Sequence, residues 1–439
     1  MAEDRFWQPK IEKMPPKSLI KIQTIRLKET IRNLFKKNTF YRRKLLEKGL
    51  KPTDIKGVDQ LEMLPFTTKF DFRENYPLGL LACSMSRVIR LHASSGTTGD
   101  PTIVAYTRRD IENWADCIAR CLTMTGITER DVFQVILGYG LFTGGLGFHY
   151  GAEKIGATVV PSATGNTRRQ VKLMRDLKVT AFTSIPSYTL YLAETAKASG
   201  IDPEKDLNVN SVSCGAEVWS EATRKRIERE FGCKVYNSYG LSEVCGPGVA
   251  FECSMQDGLH LWGDHFLAEI VDPKTGERLG VEEEGELVLT TLTRKAMPLI
   301  RYRTGDLTKI LDGACNCGRT HQRIGWIKGR CDDMLKVKGV NLFPSQIEAA
   351  IMGLEGVGNS YQILLSRRGH LDEATVEVEA TEELWSRGEG STEELAERVR
   401  AEIGTVTGLN IQVRIVPPSS IPRMEGKVKR VVIGDVETA

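Results

Sequence analysis

Between residues 110 and 240 long helical stretches alternate with short β-rich runs, at Val132 to Leu137, Thr158 to Val160, Ala181 to Ser184, Ser211 to Ser213 and Lys234 to Ser238. Strand, helix and strand recurring at that spacing make βαβ units, which assemble into a parallel sheet with helices on its faces. Several runs stop in small or polar turns, namely Ser184-Ile185-Pro186-Ser187, Ser213-Cys214-Gly215-Ala216-Glu217 and Asn237-Ser238-Tyr239-Gly240. Ligands of such sheets collect at the carboxyl ends of strands, so these turns are expected to wall a site. Residues 258 to 312 read instead as a β-rich meander, with strands at Ala268 to Val271, Gly285 to Thr291 and Leu307 to Leu311. From 331 to 439 an α+β portion is expected, with strands at Met334 to Val337, Ser360 to Leu365 and Thr375 to Ala380 and helices near 344 to 354 and 391 to 407. Residues 18 to 48 carry apolar positions at a helical period and predict a surface helix pair. A chain of 439 residues exceeds one ordinary domain. The expected class is therefore α/β: a large multi-sheet N-terminal domain with a β-rich subdomain over 1–330, and a small α+β C-terminal domain over 331–439.

The loop Ser94-Ser95-Gly96-Thr97-Thr98-Gly99-Asp100-Pro101-Thr102 stands between the apolar approach Val88-Ile89-Arg90-Leu91 and the β-branched run Thr102 to Tyr106. Glycines let backbone N–H groups approach an anion without a Cβ in the way, and the clustered hydroxyls add donors that rotate to suit. A flexible linker has similar composition. The flanking strands argue for a hairpin inside a domain, whose loop wraps phosphate. The Gly-Lys-Ser/Thr ending of the mononucleotide P-loop is absent.

Sixty basic and 57 acidic residues leave a net charge of +3, which gives no case for a nucleic-acid or anionic-membrane partner. Met1 to Pro16 lacks an apolar core, so neither secretion signal nor membrane span is expected. Ten cysteines then point to reduced thiols or a metal site rather than a disulfide framework, and to the cytoplasm.

Three further clusters carry chemistry. In Tyr236-Asn237-Ser238-Tyr239-Gly240-Leu241-Ser242-Glu243 an aromatic pair offers a flat face for a purine, and a carboxylate could hold Mg2+. The plainer reading is a strand, a turn and a helix beginning at Leu241-Ser242-Glu243. In Tyr302-Arg303-Thr304-Gly305-Asp306-Leu307 an acid past a glycine turn could accept both hydroxyls of a ribose. The segment Gly329 to Gly339, with two acids, several cations and two glycines, fits a joint between domains.

Taken in order over residues 90 to 430, these clusters resemble the core motifs of the acyl-adenylating superfamily. Within it the chain is most similar to phenylacetate-coenzyme A ligases, through Tyr139 to Gly147, Gly215-Ala216-Glu217, Gly246 to Cys253 and Gly339 to Glu348. That resemblance implies an AMP-forming acid–thiol ligase using ATP, Mg2+ and coenzyme A on an aryl acid, with a mobile C-terminal domain and a homodimer as the expected assembly. Carried over residue by residue, Lys427 and Glu243 are catalytic, with Glu243 on the metal. Ser94, Ser95, Gly96, Thr97, Thr98 and Gly99 hold phosphates. Gly215, Ala216, Glu217, Asn237, Ser238, Tyr239 and Gly240 surround adenine. Asp306 and Arg330 bind ribose, Asp332 is the hinge, and Lys336, Lys338 and Gly339 form the thiolation face. Tyr139, Phe142, Gly144, Cys245, Gly246 and Pro247 border the acid, with Tyr188 a further aromatic and Gly144, Gly145 and Gly147 leaving room for a ring. Thr102 stands where many relatives carry lysine, so backbone donors take more of the phosphate load. An enzyme of this fold that passes its acyl group to another acceptor, and a non-catalytic nucleotide-binding regulator, share these motifs.

Independently, Cys253-x6-His260 and Cys315-x-Cys317 supply the four ligands of a closed, structural zinc site. His265 and His321 are substitutes for His260, and a tight loop with free thiols is the alternative.

Overall fold

The protein is described by a computed structural model covering residues 5–94, 101–337, 340–368, 371–424 and 428–433. Its principal sheet runs in the order Ile310–Leu311, Arg323–Ile324, Leu259–Leu261, Gly246–Glu252, Lys234–Leu241, Ser211–Gly215, Ala181–Ser184, Val132–Val135, Thr158–Val160. The five strands from Lys234–Leu241 to Thr158–Val160 are parallel, at the places the β-rich runs predicted, and the others are antiparallel. Ala181–Ser184 is buried along its whole length, as expected of a parallel strand covered on both faces. The crossover helices pack in two groups: Arg108–Met124 with Gly144–Ile155, and Pro186–Ala198 with both Thr167–Asp176 and Glu221–Phe231. Thr107 starts the first of these with a reciprocal cap, its hydroxyl accepting from Asp110 N (3.2 Å) while Asp110 accepts from Thr107 N (2.8 Å).

A second, antiparallel sheet holds Phe266–Val271, Gly285–Thr291, Tyr302–Thr308 and Gly329–Arg330. The hairpin Leu335–Val337/Val340–Leu342 follows, and then a sheet ordered Gln412–Val416, Leu371–Ala380, Val357–Arg368, Val431–Ile433, with helices Pro344–Ile351 and Glu389–Thr407 packed on each other. Among the described residues, no strand before residue 331 pairs with one after 334. At the other end of the chain Pro16–Lys37 and Thr39–Glu47 form the predicted helix pair.

Two local expectations differ. Leu307 to Leu311 is not one strand: Tyr302–Thr308 and Ile310–Leu311 belong to different sheets. Nor does a helix begin at Leu241-Ser242-Glu243. The chain turns back after Leu241 into the antiparallel strand Gly246–Glu252. Glycine permits that reversal, since a Cβ on Gly240 would lie 2.1 Å from the Gly246 carbonyl oxygen and Gly246 itself has φ +104°.

Candidate active site

The carboxyl ends of the parallel strands open into a cavity of about 740 Å³, whose far side is made by residues beyond 331. Ala216, Glu217, Asn237, Ser238, Tyr239 and Gly240 line it from the principal sheet. The turn at Gly215 is tight: a Cβ there would sit 2.3 Å from the Ser238 carbonyl oxygen, and Ala216 is held at φ +67°.

Asp306 and Arg330 reach the same cavity from the second sheet, where their residues are directly paired across adjacent strands. Tyr239 donates its hydroxyl to Asp306 Oδ2 at 2.6 Å, and Arg330 Nη1 donates to Asp306 Oδ1 at 3.0 Å. Burial, then the Asp306 charge, push the Tyr239 hydroxyl well above its usual pKa, so it remains a donor. Arg330 also grips Asp332, Nε to Oδ1 at 2.8 Å and Nη2 to Oδ2 at 3.1 Å. Tyr239 and Arg330 thus help to orient the Asp306 carboxylate in the cavity wall. Glu243 is buried in the turn before Gly246–Glu252.

Glu217 joins three elements. Its Oε1 accepts from Ser187 Oγ (2.8 Å) and Val428 N (3.0 Å), and its Oε2 from Ser187 N (3.2 Å). Val428 directly follows Lys427, which lies outside the described residues, as do Ser95, Gly96, Thr97, Thr98, Gly99, Lys338 and Gly339. Ser94 is described. Its N–H donates to the Thr102 carbonyl at 3.0 Å, closing the predicted hairpin, and the buried hydroxyls of Ser94 and Thr102 have no partner among the described residues. Lys336 is exposed on Leu335–Val337.

The far wall is tied down by contacts that sequence reasoning did not foresee. Glu348 accepts from Ser220 N (3.0 Å) and Thr223 Oγ1 (2.7 Å) at the start of Glu221–Phe231. Arg423 bridges Glu194 (3.2 Å) and Glu379 (2.8 Å), and Asn359 Nδ2 donates to Glu194 at 2.8 Å. Glu348 stands in the stretch Gly339 to Glu348 that carries the resemblance, but nothing in its spacing, or in that of Arg423, marks a docking group.

A recess of about 70 Å³ adjoins the main cavity, sharing Ala216, Ser238, Gly240 and Leu241 with it. Phe142, Gly144 and Pro247 line it, as does Ser184. Tyr139, Cys245, Gly246 and Tyr188 are not among its walls. The Tyr139 hydroxyl meets His149 Nδ1 at 3.2 Å, that of Tyr188 meets Thr167 at 3.0 Å, and the Cys245 carbonyl accepts from Tyr106 at 3.1 Å. Gly145 and Gly147 serve packing rather than room for a ring: their Cβ atoms would fall 2.6 Å from the Gly138 oxygen and 2.4 Å from Trp114 Cζ2.

Away from the cavity, Cys253, His260, Cys315 and Cys317 converge, all buried, with their ligand atoms within 4.8 Å of one another. Cys253 Sγ lies 3.6 Å from Cys315 Sγ, and Cys317 Sγ lies 3.3 Å from His260 Nε2. Tetrahedral zinc bonds would set such edges at about 3.8 and 3.5 Å. The hydrogen bond from Cys253, and then His260, lower the pKa of the Cys317 thiol, and the same contact raises that of Cys253. His265 and His321 lie elsewhere, the first against Thr293 (2.7 Å) and the second accepting from Gly263 N (3.0 Å).

Comparison with known proteins matches residues 44–292 to the AMP-binding enzyme family and 339–433 to the AMP-binding enzyme C-terminal domain. A phenylacetate-coenzyme A ligase of Thermus thermophilus is 44% identical over 97% of this chain and 99% of its own. One of Escherichia coli is 45% identical over 93% of each. Among solved structures, 2-hydroxyisobutyryl-CoA ligase in the postadenylation state with 2-HIB-AMP superposes with a TM-score of 0.92 at 30% identity, covering 99% of this chain and 93% of that one. In its thioesterification state, with CoA also bound, the score is 0.73. The arrangement of this chain is thus more similar to the postadenylation structure of that ligase than to its thioesterification structure. Among the described residues no helix is long and apolar enough to cross a membrane.

Proposed function

Because the chain belongs to the phenylacetate-coenzyme A ligase family of AMP-binding enzymes, we propose that it converts an aryl acid of the phenylacetate type to its coenzyme A thioester at the expense of ATP. A carboxylate oxygen attacks the α-phosphorus, the bond to the leaving oxygen breaks, and pyrophosphate departs with the electron pair. The sulfur of coenzyme A, losing its proton, then attacks the acyl carbon and AMP leaves. Little of this needs a nucleophilic side chain. It needs positioning and positive charge where negative charge develops.

The assignments follow that need. Asp306, oriented by Tyr239 and Arg330, holds the ribose hydroxyls, and the loop from Ser94 to Gly99 holds the phosphates. Glu243 carries Mg2+, which neutralises phosphate charge when bound. Lys427 brings a cation to the substrate carboxylate and α-phosphate. Residues 1–330 form the adenylating domain and 331–439 the lid, which turns about Asp332 to present Lys336, Lys338 and Gly339 for the second step. Cys253, His260, Cys315 and Cys317 hold one structural zinc ion. The enzyme works in the cytoplasm and assembles as a homodimer, which light scattering tests.

The observation that carries this reading is the hydrogen bond from Val428 N to Glu217, which brings the residue after Lys427 to the cavity containing Asp306. Pyrophosphate exchange with phenylacetate, followed with and without coenzyme A, tests it. The expected result is acid-dependent exchange and thiol-dependent AMP release. AMP release that ignores the thiol would overturn the assignment as a coenzyme A ligase.

A further inference from the structure

The recess beside the main cavity is lined by several side-chain hydroxyls, among which that of Ser184 is both buried and without a partner among the described residues. Thr183 Oγ1 donates to the Ser213 carbonyl at 3.1 Å, and Thr143 Oγ1 pairs with Ser242 Oγ at 3.0 Å. Ser184 is only 2% exposed, and its Oγ has no partner among the described residues. A buried hydroxyl left without a partner costs about 1–3 kcal/mol, so a native fold retains one chiefly where something else completes it. Its placement is suggestive. Ser184 ends a parallel strand, the position from which such sheets contact ligands, and Ile185-Pro186 turns the chain away immediately afterwards.

Size narrows what completes it. A recess of about 70 Å³ is well under the ~150 Å³ that accommodates a benzene ring. A ring in the larger cavity could therefore send only its edge or a substituent into this space. The remaining walls are mostly apolar, with Leu137, Phe142, Phe148, Leu241 and Pro247 among them. A single hydroxyl on apolar walls selects a small hydrogen-bonding group.

Resting on the aryl-acid reading above, we propose that Ser184 is a specificity-determining residue, and that the preferred acid carries a hydroxyl on its ring which hydrogen-bonds to Ser184 Oγ. A methyl group of the same size fills the recess but leaves the serine unpaired.

Steady-state AMP formation with phenylacetate, 3- and 4-hydroxyphenylacetate and 3- and 4-methylphenylacetate tests this in the wild-type enzyme and in Ser184→Ala. For at least one ring position the wild type is expected to favour hydroxyl over methyl about tenfold in kcat/KM. Ser184→Ala should bring that ratio to about one by lowering kcat/KM for the hydroxylated acid. A wild-type ratio near one at both positions, or a ratio that survives Ser184→Ala, overturns the inference while leaving the ligase reading intact. Absence of thiol-dependent AMP formation with every acid overturns both. Ser184→Ala removes only an unpaired oxygen, and a Tm equal to or above that of the wild type verifies that the comparison reports recognition rather than folding.

Discussion

Val428 donates its backbone N–H to Oε1 of Glu217 at 3.0 Å, fastening the residue that follows Lys427 to the wall of the main cavity. The same carboxylate takes the Ser187 hydroxyl and N–H, so one side chain aligns the turn after Ala181–Ser184 with the end of the chain. Glu217→Ala should slow acyl-adenylate formation about tenfold, one charge-assisted hydrogen bond being worth about 1.5–3 kcal/mol. Glu217→Gln keeps an acceptor and should retain most of the rate. Thioester formation from preformed adenylate should not change in either. Equal loss in both half-reactions would show that Glu217 does not act through the tail.

Lys427→Ala is expected to reduce pyrophosphate exchange by about 10²–10³-fold, the scale for removing one preorganised electrostatic group from a transition state. ATP binding, followed by calorimetry, should persist. An unchanged exchange rate would remove Lys427 from the chemistry.

Arg423 links Glu194 to Glu379 through a side chain only 16% exposed. Arg423→Ala leaves both carboxylates without their shared partner, a loss of about 3 kcal/mol or more for a buried pair. The described arrangement resembles a postadenylation state, so the variant should lose adenylation about tenfold or more while thioester formation from supplied adenylate is spared. The ratio of the two half-reaction rates is the measurement that decides it.

Metal analysis of protein prepared without chelator should find about one zinc per chain, and Cys315→Ser should find much less. Two residues past Cys317, Arg319 pairs with Glu12 at 2.9 Å with both side chains wholly buried, and Thr320 and His321 bond the backbone of Glu12 and Ile11. Metal loss should therefore loosen residues 5–14, freeing the backbone at the already exposed Lys10 and Lys13 for cleavage by trypsin, and cost about 2–5 kcal/mol. Undiminished protease resistance in Cys315→Ser would contradict a structural metal.

His265 gives a pH signature. Burial outweighs the neighbouring Asp264 charge and lowers its pKa from 6.5 to about 4, with Arg120 and Arg26 adding to the fall and Asp116 opposing it. The unfolded chain takes up the proton first. Stability is therefore full above pH ~6.5 and declines as pH falls from there through about 4, by about 3 kcal/mol in all. Replacing His265 by Gln should flatten that part of the Tm profile. A wild-type and variant pair that fall in parallel would refute the assignment.

How much of this could be read along the chain differs from residue to residue. Strands such as Thr158–Val160 and Gly285–Thr291 were legible because alternation and apolar runs are properties of a few consecutive residues. The cysteines and His260 were legible as possible ligands because their chemistry is intrinsic, although choosing His260 over His265 and His321 required coordinates. The turn at Glu243 was misjudged because a strand reversal and a helix start share the same small and polar residues. The decisive signal was the close approach of Gly240 to the Gly246 oxygen, a contact that no periodicity encodes.

Residue order was therefore enough for the α/β class, the succession of motifs and the family, all of which depend on local pattern and side-chain identity. It could not reveal that Glu217 meets Val428, that Arg423 meets Glu194, or that Ser184 is buried without a partner beside a small recess. Those facts exist only once segments hundreds of residues apart are packed together, because distance across a core is set by the sum of all crossovers and interfaces and by no single stretch of chain.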